Sequence, residues 1–289
     1  MKKNTLHRLF FLFLTAAFAG ACSSPGKGDV QVESNDFPSR FSVTADTLFT
    51  HRGLTGTFLL GNLNGSRTFV YNSGRASEVF LPASTFSVMA ALIYLQEGIV
   101  SDTQRLAWDG KDRGWDEINR ELTLGEALKF SADHVFENLA ERTGKARIQY
   151  WLTRTGYGNA LASGKTRDFW MKGDLRITPR QQLDFLKKLY RRELPFDRGI
   201  QDKVLAMMLR EENGRYSYYY KTGWARAASP DIVWNMGIVR TGEDVYFYVL
   251  NLEVQNDEEG EYRKTIPELL LRDFGILPGH MGEFIDSTL

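Results

Sequence analysis

Between Phe86 and Leu95 the chain reads FSVMAALIYL, where only Ser87 interrupts apolar or aromatic side chains. A helix with no polar face belongs inside a domain of some size rather than on its surface. The stretch therefore predicts a central helix with Ser84 at its mouth. Upstream, residues 57–71 hold two short apolar runs around Asn64-Gly65, a strong short-range turn signal, and predict an opening β-hairpin. Downstream, helical periodicity runs through residues 122–144, 146–156, 178–194 and 199–209. In the third of these, Thr178 is the expected N-cap and Pro179 the first helical residue. Leu183, Phe185, Leu186 and Leu189 supply its core stripe.

From residue 216 the pattern turns to runs dense in aromatic and β-branched residues: YSYYYKTGW, DIVWNMGIVR and VYFYVLNLE. The last two are joined by TGED and predict an antiparallel hairpin. A closing helix over roughly 264–274 stops at Gly275. Strands at both ends with helices between them predict one α/β domain of the α+β type. Its antiparallel sheet is formed by both chain ends, with a helical region between. No internal repeat is visible.

Composition narrows the picture. The 289 residues are 43% hydrophobic and 25% charged, enough for a real core. Lys+Arg and Asp+Glu both total 36, and no basic stripe interleaved with aromatics is present, so a nucleic acid partner is not expected. The first residues are of another kind: Lys2, Lys3, His7 and Arg8, then LFFLFLTAAFAGA, then Cys22. A charged start, a short apolar run and small residues before the break predict a secretory signal over residues 1–21. Cys22 is the only cysteine, which excludes an internal disulfide. Its setting resembles the lipobox of bacterial lipoproteins. That resemblance implies a lipid on Cys22, a membrane anchor, and a periplasm-facing place in the bacterial cell envelope. A plainly secreted protein is the alternative. The polar, Gly- and Pro-containing stretch to residue 40 reads as a tether, leaving residues 41–289 for the domain.

Four short sites carry the candidate chemistry: STFS at 84–87, SAD at 131–133, YGN at 157–159 and KTGW at 221–224. Their order follows the S-x-x-K, S-D-N and K-T-G set of penicillin-recognising serine enzymes. Over most of the chain past the tether, the sequence resembles the class D β-lactamases, or oxacillinases, and the related penicillin-sensor domains. Each motif alone is weak, and the ordered set is specific.

The resemblance implies a transpeptidase-like fold and acyl transfer from Ser84. A serine hydroxyl needs an adjacent base, and the tetrahedral oxyanion needs fixed N–H donors. In the family pattern those donors are the backbone N–H groups of Ser84 and Trp224. Lys221, Thr222 and Gly223 would line the cleft, with Lys221 also catalytic, relaying a proton through Ser131 as a base on the opposite wall; Ser131 would carry a proton to the leaving nitrogen, and Arg263 would hold a substrate carboxylate. Tyr157, Gly158, Asn159 and Trp170 are expected to be structural, near the cleft.

Two positions depart from the pattern. The lysine that ends the first motif is Ser87 here, so the family's base for acylation and deacylation is absent. The second motif has Asp133 where an apolar residue is usual. Asp133 could fill the vacated polar space or act as a substitute base. The leading expectation is a protein that binds β-lactams and is acylated by them at Ser84, with hydrolysis slow or absent. One alternative is a competent β-lactamase with a relocated base such as Asp133. Another is a non-catalytic envelope module that binds peptidoglycan-like ligands. The four histidines, His7, His51, His134 and His280, lie in the signal, a loop, a helix and the tail, with no H-E-x-x-H or C-x-x-C spacing. No metal or cofactor is expected.

Overall fold

The computed structural model of the protein describes residues 31–279. The signal segment, Cys22, the first part of the expected tether, His7 and His280 lie outside the described residues. Seven antiparallel strands form one sheet in the order β1-β3-β2-β7-β6-β5-β4. The first three are β1 (Val32–Asn35), β2 (Gly56–Asn62) and β3 (Thr68–Tyr71). The others are β4 (Leu209–Glu212), β5 (Tyr216–Ala225), β6 (Asp231–Thr241) and β7 (Asp244–Val254). The two chain ends meet where β2 pairs with β7, with Phe58 opposite Leu250 and Leu60 opposite Tyr248. This is the sheet that the order of strand and helix patterns predicts.

Period-two alternation divides the sheet between two apolar layers. On β7, Val245, Phe247 and Val249 face one layer, whereas Tyr246, Tyr248, Leu250 and Leu252 face the other. The second layer is closed by α1 (Arg40–Thr50) and α10 (Tyr262–Asp273). The first is closed by the helical middle of the chain around α2 (Phe86–Gln96). Nine consecutive α2 residues, Phe86 to Tyr94, are buried, as its unbroken apolar face requires. Around it stand α3 (Leu124–Phe130), α4 (Asp133–Thr143), α5 (Lys145–Thr155), the single turn α6 (Phe169–Lys172), α7 (Pro179–Arg191) and α8 (Arg198–Met207). A further single turn, α9 (Asp257–Gly260), precedes α10. The N-cap expected at Thr178 is present, as a capping box in which the Thr178 and Gln181 side chains each accept from the other's backbone N–H.

Three boundaries differ from the pattern reading. The expected tether does not reach residue 40: Val32–Asn35 adds an edge strand to β3, with Val32 opposite Tyr71. α1 follows, burying Phe41, Ala45, Leu48 and Phe49 on one face. A four-residue edge strand is too short to show an alternation, so its polar sequence hides it. The helical pattern over 122–144 is two helices, broken at Ser131, which adopts the left-handed conformation (φ 53°, ψ 47°) and ends α3. Leu209–Glu212, partly expected as the end of a helix, is the edge strand β4.

Replacing Leu92, fully buried in α2, by alanine is expected to lower the unfolding free energy by about 2–5 kcal/mol. Urea unfolding would show this as a lower midpoint with an unchanged slope.

Candidate active site

Ser84 lies in a single 3-10 turn, Ala83–Thr85, that leads directly into α2. Ala83 before it has φ +50°, a left-handed conformation that costs a non-glycine residue about 1 kcal/mol or more. The surrounding contacts hold the turn in place. Thr85 Oγ1 donates to the Pro82 carbonyl at 2.6 Å and accepts from Gln182 Nε2 at 2.8 Å. Gln182 in turn accepts from the Tyr157 hydroxyl at 3.3 Å. From the sheet side, Trp234 Nε1 donates to the Leu81 carbonyl at 2.9 Å. β5 presses so closely on the turn that a Cβ on Gly223 would lie 3.1 Å from the Thr85 nitrogen and 3.2 Å from the Pro82 oxygen. The glycine of the KTGW motif is thus what lets strand and turn meet.

Two proton-carrying pairs line the cleft. On one side, Ser84 Oγ donates to Asp133 Oδ1 at 3.0 Å. Burial raises the pKa of this carboxyl, against the opposing pull of Lys221 and of the Ser84 hydrogen bond. On the other, Lys221 Nζ donates to Ser131 Oγ at 2.6 Å and to the Thr222 carbonyl at 2.7 Å. Lys221 is only 1% exposed. Its burial, helped by Arg210 and Arg263 and opposed by Asp133, brings its pKa down to about 7. The break at Ser131 makes both pairs: the left-handed residue ends α3 and lets Asp133 begin α4 two residues later. A helix continuing through Ser131 would carry both side chains round its own axis instead.

Where the first motif's lysine would stand, Ser87 is 1% exposed and its hydroxyl has no hydrogen-bond partner. The buried Trp170 Nε1 also lacks one. Trp170 stacks on Phe86, the residue before Ser87, with ring centroids 5.2 Å apart. A buried polar group left unpaired costs about 1–3 kcal/mol, so this corner of the cleft is under-satisfied.

The remaining expected residues separate into two sets. Trp224 and Arg263 come together at the far end of β5: the Arg263 guanidinium lies 4.8 Å from the Trp224 ring centroid and Arg226 lies 3.7 Å from it. Trp224 Nε1 donates to Asp231 at 2.8 Å. Asn159 is exposed. Its side chain donates to the Asp174 carbonyl at 2.7 Å and accepts from the Arg176 N–H at 3.0 Å, clipping two loops together. Gly158, with φ +58°, lies against the Arg176 carbonyl, where no Cβ would fit. His134 Nδ1 is buried without a partner, and no group of three or more His, Cys, Asp or Glu is placed to hold a metal ion among the described residues.

Sequence reasoning missed Gln182, which buttresses the nucleophile turn while fully buried. A signal was there, because Gln182 falls on the same helical face as Phe185, Leu186 and Leu189, and a polar residue on an apolar stripe needs a buried partner. Asp231 and Glu261 carried no such signal.

The family model for the penicillin binding protein transpeptidase domain matches residues 54–271. The chain is 38% identical over 223 residues to the probable β-lactamase YbxI of Bacillus subtilis, covering 77% of this chain and 82% of that protein. It is 33% identical over 235 residues to the β-lactamase OXA-5 of Pseudomonas aeruginosa, covering 80% and 88%. Among solved structures, the class D β-lactamase YbXI from Nostoc superposes with a TM-score of 0.78 at 32% identity, covering 81% of this chain and 99% of that one.

The depressed Lys221 pKa sets a pH dependence. Above pH 7 the folded amine releases its proton while the unfolded one keeps it, so the unfolded state binds more protons and stability rises with pH. The contribution is up to about 1.4 kcal/mol per pH unit between that value and the ordinary lysine range. Unfolding free energies of the protein and of its Lys221→Met variant, measured from pH 7 to 9, should differ by this extra upward slope in the unmodified protein.

Proposed function

The chain belongs to the class D β-lactamase family, and we propose that β-lactams acylate it at Ser84 and are then released slowly or not at all. The observation that carries this reading is the hydrogen bond from Ser84 Oγ to Asp133 at 3.0 Å, which puts a proton acceptor on the nucleophile. In the acylation, the Ser84 oxygen bonds to the lactam carbonyl carbon and its proton passes to the Asp133 carboxylate. The ring C–N bond breaks as its nitrogen takes a proton from Ser131. The Lys221 ammonium then re-protonates Ser131, a transfer suited to a group with a pKa of about 7. The N–H groups of Ser84 and Trp224 stabilise the oxyanion, and Arg263 holds the ligand's carboxylate.

Release needs a water deprotonated beside the acyl ester. The Ser87 hydroxyl cannot accept a proton near neutral pH, and Asp133 is left protonated by the first step. Losing a general base typically costs about 10²- to 10⁴-fold, roughly 3–5 kcal/mol of barrier. The same Ser84–Asp133 bond favours a second reading, in which Asp133 returns its proton to Lys221 and serves as base for the water as well. That protein would be a competent β-lactamase. The lipobox-like setting of Cys22 supports an envelope location with the cleft facing the periplasm.

Stopped-flow absorbance with a chromogenic cephalosporin separates the two readings. The proposal expects a burst of about one equivalent and then a slow steady rate. Ser87→Lys should raise the steady rate by about 10²-fold or more, and Asp133→Asn should slow the burst by a similar factor. Rapid multiple turnover without a burst supports the second reading, and neither burst nor turnover overturns both.

A further inference from the structure

Arg263 reaches the cleft already holding a carboxylate from its own chain. Its Nη1 donates to Glu261 at 2.9 Å and also to the Gly260 carbonyl. Its side chain is only 14% exposed, with Trp224 across the face of the guanidinium. Gly260 fixes that arrangement, because a Cβ there would run into the Trp224 ring. The charge of Arg263 is felt inside the cleft, where it helps lower the Lys221 pKa. Glu261 has a second cation: its other oxygen pairs with Lys264 at 2.8 Å, one helical turn along α10, on a side chain that is half exposed. One carboxylate is thus shared between a sheltered cation and an exposed one that lines the pocket beside Lys221 and Thr222.

We propose that Glu261 is the internal occupant of the carboxylate subsite: it holds Arg263 while the cleft is empty and yields to the carboxylate of an anionic ligand, remaining paired with Lys264. This rests on the reading of Arg263 as the ligand's carboxylate partner. Binding is then an exchange of one carboxylate for another on a single guanidinium. The guanidinium is never left sheltered and unpaired, which would be the costly state. The exchange also holds down the affinity for anionic ligands, since each must displace an existing partner. A ligand without a carboxylate leaves Glu261 in place and gains nothing from Arg263. Glu261 is therefore a specificity-determining residue that acts through Arg263, and Lys264 sets how readily it lets go.

The test uses the Ser84→Ala protein, in which binding is not followed by acylation. Isothermal titration calorimetry gives the Kd of benzylpenicillin, of its methyl ester, and of phenylacetate as a carboxylate without a lactam. Glu261→Gln should tighten both acids by about two- to fivefold, the range for breaking one partly exposed ion pair, and leave the ester unchanged. Lys264→Ala should weaken the acids, and that effect should vanish once Glu261 is glutamine. Glu258→Gln removes the same charge nearby without touching Arg263 and should do nothing. Additive effects of the two substitutions, or an equal effect of Glu258→Gln, would mean a diffuse charge field and overturn the proposal, as would no Glu261 dependence for either acid. Failure of the parent reading looks different: penicillin would not bind the Ser84→Ala protein or acylate the unmodified one, while phenylacetate would still bind with the Glu261 dependence.

Discussion

Burying a lysine in the middle of a β-sheet costs several kcal/mol unless its charge is shed or answered, and the cleft is organised around that constraint at Lys221. β5 carries the amine into the seam between sheet and helices, where Ser131 and the Thr222 carbonyl accept its hydrogen bonds. Asp133 answers its charge from across the cleft. The group that results sits near its own titration point, so it can give or take a proton without a large penalty either way. Ser131 can reach Lys221 only because the chain breaks there into the left-handed conformation. Ser84 can reach Asp133 only because the same break starts α4 at that residue.

The opposite wall is governed by packing. α2 is apolar on every side, so the turn before it is fixed by the core rather than by solvent. Thr85, Gln182 and Tyr157 form a hydrogen-bonded chain through this apolar region, and each is nearly fully buried. Against that order, the buried Ser87 hydroxyl and Trp170 indole N–H have no hydrogen-bond partner.

The fold was legible where a single physical cause dominates. The apolar run of α2, the Thr178-Pro179 start of α7 and the alternation in β6 and β7 each point to one structure, and each forms. Legibility failed where a residue's role depends on partners far along the chain. Val32–Asn35 is polar and becomes a strand only because β3 offers an edge. Ser131 has no local turn signal, and its conformation serves Lys221, ninety residues away. The site's residues were named by motif, but motif spacing said nothing of Asp133 bonding Ser84, of Gln182 beneath Thr85, or of Glu261 on Arg263. The first two follow from burial, which forces polar groups to find one another; the third follows from the sheltered Arg263 side chain alone.

If Ser84 forms a covalent bond that is then broken only slowly, intact-protein mass spectrometry after a brief exposure to benzylpenicillin, with peptide mapping of the product, should show a single adduct carrying the whole mass of the antibiotic on the peptide that contains Ser84, persisting for hours and absent from Ser84→Ala. An adduct elsewhere, or one that still forms in Ser84→Ala, would contradict it.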